Sequence, residues 1–168
     1  MATWAEFSTA EPLLATAIRT LICQYGPGMG YLATIRPDGG PRVHPVMPVI
    51  TDEGLYCFIL PSPKRHDLDR DGRYALHSFP AEDTSDEAYL SGRAAPVMDP
   101  LVVASLALQM RAAQRVDWKL YALTIEVAMI VQRDSPLTST KTLWRDRLPR
   151  LPRARRNGPC TTPADSVQ

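Results

Sequence analysis

The segment Ser62-Pro63-Lys64-Arg65-His66 places a helix-start signal and a run of basic side chains directly after an apolar stretch. Serine is favoured just before a helix, and proline is favoured as the first helical residue because it has no N–H to leave unbonded. The free backbone N–H groups of a helix start attract anions, whereas cations among them cost a few tenths of a kcal/mol. Lys64 and Arg65 nevertheless occupy that first turn, and the acidic residues Asp67, Asp69 and Asp71 come late. The helix is therefore charged against its own dipole, and a bound phosphate would remove the conflict. By themselves the same residues also suit a solvated helix start.

Arg42 is the second cation of interest. It opens the run RVHPVMPVI, in which Arg42, His44 and Val46 share one strand face and Val43, Pro45 and Met47 the other. If this run and LYCFIL (55–60) are hairpin neighbours, Arg42 lies at the end of the sheet where the later strand finishes. Arg42 then converges with Lys64. A guanidinium fork and an ammonium point charge are complementary partners for one phosphate.

The elements that must position these residues follow from periodicity. Residues 11–24 carry Leu13, Leu14, Ala17, Ile18, Leu21 and Ile22 in one apolar stripe at helical spacing, with Arg19 off the stripe toward solvent. Apolar runs at 31–36, 42–50, 55–60, 73–79 and 88–97 predict strands, the first three joined by the turns PDGG and TDEG. Pro45 and Pro48 make the second run bulged or edge-exposed, since neither donates a ladder hydrogen bond. A helix from Pro63 to about Asp71 follows the third strand. Asp99-Pro100 opens a further helix to about residue 113, with Val102, Leu106 and Met110 inward. Residues 119–133 alternate as a sixth, β-branched strand. The whole predicts an α+β fold: a six-stranded antiparallel β-barrel with helices capping its openings.

Length and composition bound the function. The 168 residues suit one domain, expected over residues 1–147, and 45% apolar with 22% charged residues is the composition of an ordinary globular protein. Residues 141–156 hold seven basic residues against Asp146 alone, whereas residues 1–140 hold 12 basic and 16 acidic residues. The body is thus no nucleic-acid surface, and residues 148–168 read as a basic, proline-rich, disordered tail without aromatics to stack on bases. Cys23, Cys57 and Cys160 have no CxxC pairing, and His44, His66 and His77 have no grouped partners, so no disulfide framework and no metal site is expected. Ser91 and Ser105 lack a nucleophile context. With no leader pattern and no apolar run of ~20 residues, the expected compartment is cytoplasmic, with no membrane contact.

The succession YLATIRPDGGPRVHPVMPVI, LYCFILPSPKRHDLDRDGRYALHSF and YLSGRAAPV resembles the pyridoxamine 5′-phosphate oxidase-like family, the flavin-binding split β-barrels, over roughly residues 10–135. The resemblance implies a six-stranded split barrel. It also implies a homodimer that binds flavin mononucleotide (FMN) in grooves at the subunit interface and turns over a small-molecule substrate. The family's phosphate-binding arginine and lysine match Arg42 and Lys64, with the same separation of 22 positions, and its phosphate-binding serine matches Ser62. Arg65 joins them in the same turn. Val43 to Met47, including His44, would line the flavin ring, and Glu87 occupies the position of a polar residue that meets the partner's flavin. Trp144 either stacks across the flavin or anchors the chain end. The departures are equally specific. Pro63 replaces a second phosphate-binding arginine, Met47 replaces a lysine that reaches flavin and substrate, and the C-terminal Arg-x-His that grips pyridoxal has no counterpart. The expectation is an FMN-binding oxidoreductase that is not a pyridoxamine-phosphate oxidase. A reductase using the deazaflavin coenzyme F-420 and a non-catalytic flavin- or heme-binding protein are the alternatives. No residue is singled out as a catalytic acid or base.

Overall fold

The computed structural model describes residues 1–82, 84–109, 116–135 and 137–146. The expected tail and the end of the second inserted helix, Met110 included, lie outside the described residues. In chain order the elements are α1 (Trp4–Ala10), α2 (Pro12–Ile22), β1 (Gly30–Ile35), β2 (Pro41–Val46), β3 (Pro48–Ile50), β4 (Leu55–Ile59), α3 (Pro63–Arg70), β5 (Arg73–Ser78), β6 (Glu87–Pro96), α4 (Pro100–Gln109), β7 (Lys119–Ser135) and β8 (Thr138–Arg145). The fold is α+β, with an antiparallel sheet and four helices among the described residues.

The strands run in the order β2-β1-β5-β6-β7-β4-β3, with β8 paired to β7. β7 pairs with β6 along most of its length, and its other edge is shared by β4 at its start and β8 at its end. The two outermost strands of this path, β2 and β3, are joined by Met47 alone. One residue spans at most about 3.6 Å, so the sheet must curl until its two edges meet at that point. This is barrel closure, and the interior is filled by Leu32, Leu76, Leu90, Leu123 and Ile125 with Trp4 and Phe7 from α1.

Several sequence expectations need correction. Residues 42–50 form two strands, because Pro45 and Pro48 flank the step at Met47. β3 forms the expected hairpin with β4, but β2 pairs with β1, so that hairpin does not include Arg42 and does not bring it toward the 55–60 strand. The chain has a further helix, α1, opened by a reciprocal capping box between Thr3 and Glu6, a Thr-x-x-Glu signal present in the sequence. It also has β8, whose alternating threonines form an edge strand exposed on both faces except at Trp144, which packs on Phe7 at a ring separation of 4.9 Å. The described strands therefore number eight. Leu13, expected on the apolar stripe of α2, is exposed, and the buried positions are Leu14, Ala15, Ile18 and Ile22. Arg19 does not point freely to solvent. It donates to the Thr51 carbonyl, pairs with Asp52 and lies over the Trp4 ring.

Gly92 marks a β-bulge. The β6–β7 register shifts between Ser91 and Gly92, and a Cβ added at Gly92 would lie 1.9 Å from the Thr124 carbonyl oxygen. Only glycine tolerates that approach. Gly92→Ala is expected to destabilise the protein by about 1–3 kcal/mol, read as a lowered urea midpoint with an unchanged slope.

Candidate functional site

α3 follows β4 and closes one mouth of the barrel, with Leu68 in the core and contacts to β1 and β6. Its boundaries are those that Ser62-Pro63 and Asp71-Gly72 dictate, with Ser62 as N-cap and Asp71 as C-cap. The Ser62 side chain does not cap. Its hydroxyl donates back to the Leu60 carbonyl at 2.8 Å, which leaves the start of α3 without a side-chain acceptor.

The late carboxylates of α3 each find a partner on the barrel. Asp67 is 2% exposed and accepts from Arg42 Nε at 2.7 Å and from the Thr34 hydroxyl at 2.9 Å. Thr34 and Arg42 are cross-strand partners on β1 and β2, so a single carboxylate ties both strands to the helix. Arg70 adds a second cation 3.7 Å from Asp67. Asp69 accepts from Tyr121 at 2.6 Å and Lys119 at 2.5 Å, and Asp71 pairs with Arg73. These pairs account for the acidic half of the reversed charge pattern, which the sequence alone attributes to an absent anion. They do not account for the cationic half.

Of the two first-turn cations, Arg65 is drawn to the β7 side, where it pairs with Asp117 at 3.0 Å. Lys64 has no carboxylate partner among the described residues. Among the described residues its ammonium donates only to the Pro45 carbonyl of β2, at 3.3 Å, and partial burial lowers its pKa. Positions 64 and 67, one turn apart on α3, thus meet positions 45 and 42 of β2. This crossing, and not a hairpin, brings Lys64 and Arg42 to one corner. Arg42 uses Nε on Asp67, and its two terminal nitrogens take no acceptor among the described residues. The corner holds the partly exposed Arg42 guanidinium, an ammonium underused by the described residues and a helix start without a side-chain cap. Such a set fits a phosphate or carboxylate. Cys57 lies buried beneath Lys64 on β4, and burial pushes its thiol up to about 12, so no thiolate is present there.

The remaining predicted residues divide by face. His44 is half-buried on the inner side of β2 opposite Leu32, whereas Val43 (59% exposed) and Met47 (55%) point outward. The outer face continues across the sheet as the row Pro45, Tyr31, His77, Tyr89, Met129 and Leu143. The next row is Val43, Ala33, Ala75, Ser91, Val127 and Arg145. The middle of these rows carries no Asp, Glu, Lys or Arg, and Arg145 ends the second row on β8. His77 and Glu87, unrelated by sequence spacing, come within 3.7 Å beside a cavity of about 330 Å³, where Arg133 holds Glu87 at 3.0 Å. Among the described residues no group of three His, Cys, Asp or Glu side chains could hold a metal ion. A larger cavity of about 650 Å³, between α4 and the β3–β4 hairpin, is lined by Asp52 and Glu53 and would repel a phosphate. No described helix is long and apolar enough to cross a membrane.

No family model and no curated protein matches the sequence. Solved structures do match. A Clostridium acetobutylicum protein related to general stress protein 26, of the pyridoxinephosphate oxidase family, superposes with a TM-score of 0.56 at 12% identity, covering 74% of this chain and 94% of its own. The fold is that of the pyridoxamine 5′-phosphate oxidase-like split barrels. General stress protein 26 from Bacillus anthracis gives 0.56 at 19% identity, covering 77% of this chain and 96% of its own. The heme binding protein of Mycobacterium smegmatis gives 0.55 at 15% identity and covers 75% of this chain, which spans only 57% of that protein's length.

The ion pair of Asp67 makes a pH prediction. Burial alone raises its pKa, but hydrogen bonds from Arg42 and Thr34 and the charges of Arg42 and Arg70 outweigh burial, and the net direction is down. Its stabilisation is therefore complete above the ordinary carboxylate pKa of about 3.9 and is lost as pH falls through the lower native value. Urea unfolding measured from about pH 6 to pH 2 is expected to show a shallower acid limb in Asp67→Asn than in the wild type.

Proposed function

We propose that this split barrel is an FMN-binding oxidoreductase that works as a homodimer on a small-molecule substrate other than pyridoxamine phosphate. The observation that carries the proposal is Lys64, an ammonium drawn onto β2 with only a carbonyl to bond among the described residues, at the corner where Arg42 offers its free edge. The uncapped start of α3 completes a cradle for the FMN phosphate. Val43 and Met47, apolar and exposed beside that corner, would lie against the flavin ring, with His44 contributing backbone only because its side chain faces inward. A second copy packed on the middle of the outer sheet face, between Tyr31 and Val127, would exclude water from the ring, in the isologous manner of a two-fold dimer. When bound, FMN supplies the redox chemistry, and the protein supplies binding, orientation and shielding.

The deazaflavin coenzyme also carries a phosphate that this corner would accept. Heme binding without turnover is a second reading, favoured by the M. smegmatis neighbour, and heme propionates are likewise anions. The absorption spectrum of the purified protein separates these readings. Flavin bands, or quenching of added FMN fluorescence, are the expected result, and a Soret band or indifference to FMN overturns the proposal. Lys64→Met is expected to weaken FMN binding about tenfold while leaving riboflavin, which lacks the phosphate, within about twofold.

A further inference from the structure

We infer that Asp67 is a positioning residue for the bound phosphate: it holds Arg42 through Nε and so turns the two terminal guanidinium nitrogens toward the anion. The inference deepens the FMN reading above and rests on it.

Three observations carry it. The Asp67 carboxylate is almost wholly removed from water, yet among the described residues it faces only a hydroxyl and two guanidinium groups, at 2.9, 2.7 and 3.7 Å. A carboxylate so placed is stable only while those partners stay, so it restricts Arg42 as strongly as Arg42 restricts it. The contact is made at Nε, the one guanidinium nitrogen whose use leaves the Nη1/Nη2 edge intact for a two-point grip. Arg42 is also 27% exposed at its side chain, enough for that edge to meet a ligand.

Asp67 also screens the cations from one another. Arg42 and Arg70 both approach it, and without it they would repel each other and Arg42 would be free to swing into solvent. Orientation and countercharge predict opposite effects. If Asp67 served only as countercharge, removing its charge would strengthen anion binding. If it orients Arg42, removal weakens it.

The test is the ratio of FMN to riboflavin affinity, measured by flavin fluorescence quenching on the full chain. The wild type is expected to prefer FMN at least tenfold, and equal affinities overturn the phosphate reading and this inference together. Asp67→Asn keeps the shape and an acceptor for Thr34. It is expected to lower the preference about tenfold with riboflavin affinity within twofold. An unchanged preference, or tighter FMN binding, leaves the phosphate reading standing and overturns the role given to Asp67. Arg42→Lys decides the matter even where Asp67→Asn does not fold. It keeps the charge and can still pair with Asp67, but it has no second edge, so the FMN preference is expected to fall by the same factor. Retention of the preference in Arg42→Lys overturns the inference, because charge without orientation would then suffice.

Discussion

The carboxylate of Asp67 sits out of water at the junction of two strands and a helix, and much of the structure around the candidate site depends on it. A charge in that position is tolerated only with hydrogen-bond donors and an opposite charge, which Thr34 and Arg42 together provide. Because these two lie opposite each other on β1 and β2, satisfying Asp67 also locks the seating of α3 against the edge of the barrel. The seating carries Lys64 to the Pro45 carbonyl. One buried charge therefore places both cations of the corner, and does so on rigid elements rather than on loops.

Barrel closure imposes the second constraint. Since β2 and β3 are the two ends of the main strand path and only Met47 separates them, the chain crosses from one end to the other in a single step. Prolines on both sides of that step suit it, because an edge strand has carbonyls and N–H groups with no partner and proline removes donors that would otherwise be orphaned. The carbonyl of Pro45 is one such edge acceptor, and Lys64 is the residue that uses it. The candidate site thus lies where the sheet is least complete, next to the outer face of β1 and β2.

Much of this was legible in the chain. Ser62-Pro63 and Asp71-Gly72 delimit α3 where the structure has it, and the alternation in residues 42–46 correctly separates Arg42 and His44 from Val43 and Pro45. Local rules suffice there because caps, turns and pleats are set by neighbours in sequence. The reading failed where partners are distant. The reversed charge of α3 pointed to a missing anion, but three of its carboxylates are matched by Arg42, Lys119 and Arg73 and one of its cations by Asp117. Arg19 likewise looked like a surface residue until Trp4 and Thr51 came within reach. The edge strand β8 has no apolar face to betray it, because both of its sides are exposed apart from Trp144. The capping box of α1 could have been found from Thr3 and Glu6 alone.

The amino-acid order by itself determined the local elements, the apolar interior and the residue types available for gripping an anion, since these follow from short-range sterics and side-chain chemistry. Only the tertiary structure decided which charges remain for a ligand. Ion pairing depends on what the fold brings within a few ångströms, and the chain's return through β1, β2 and β7 consumes Arg65, Asp67 and Asp69 while leaving Lys64 and one edge of Arg42 without a charged partner of their own among the described residues.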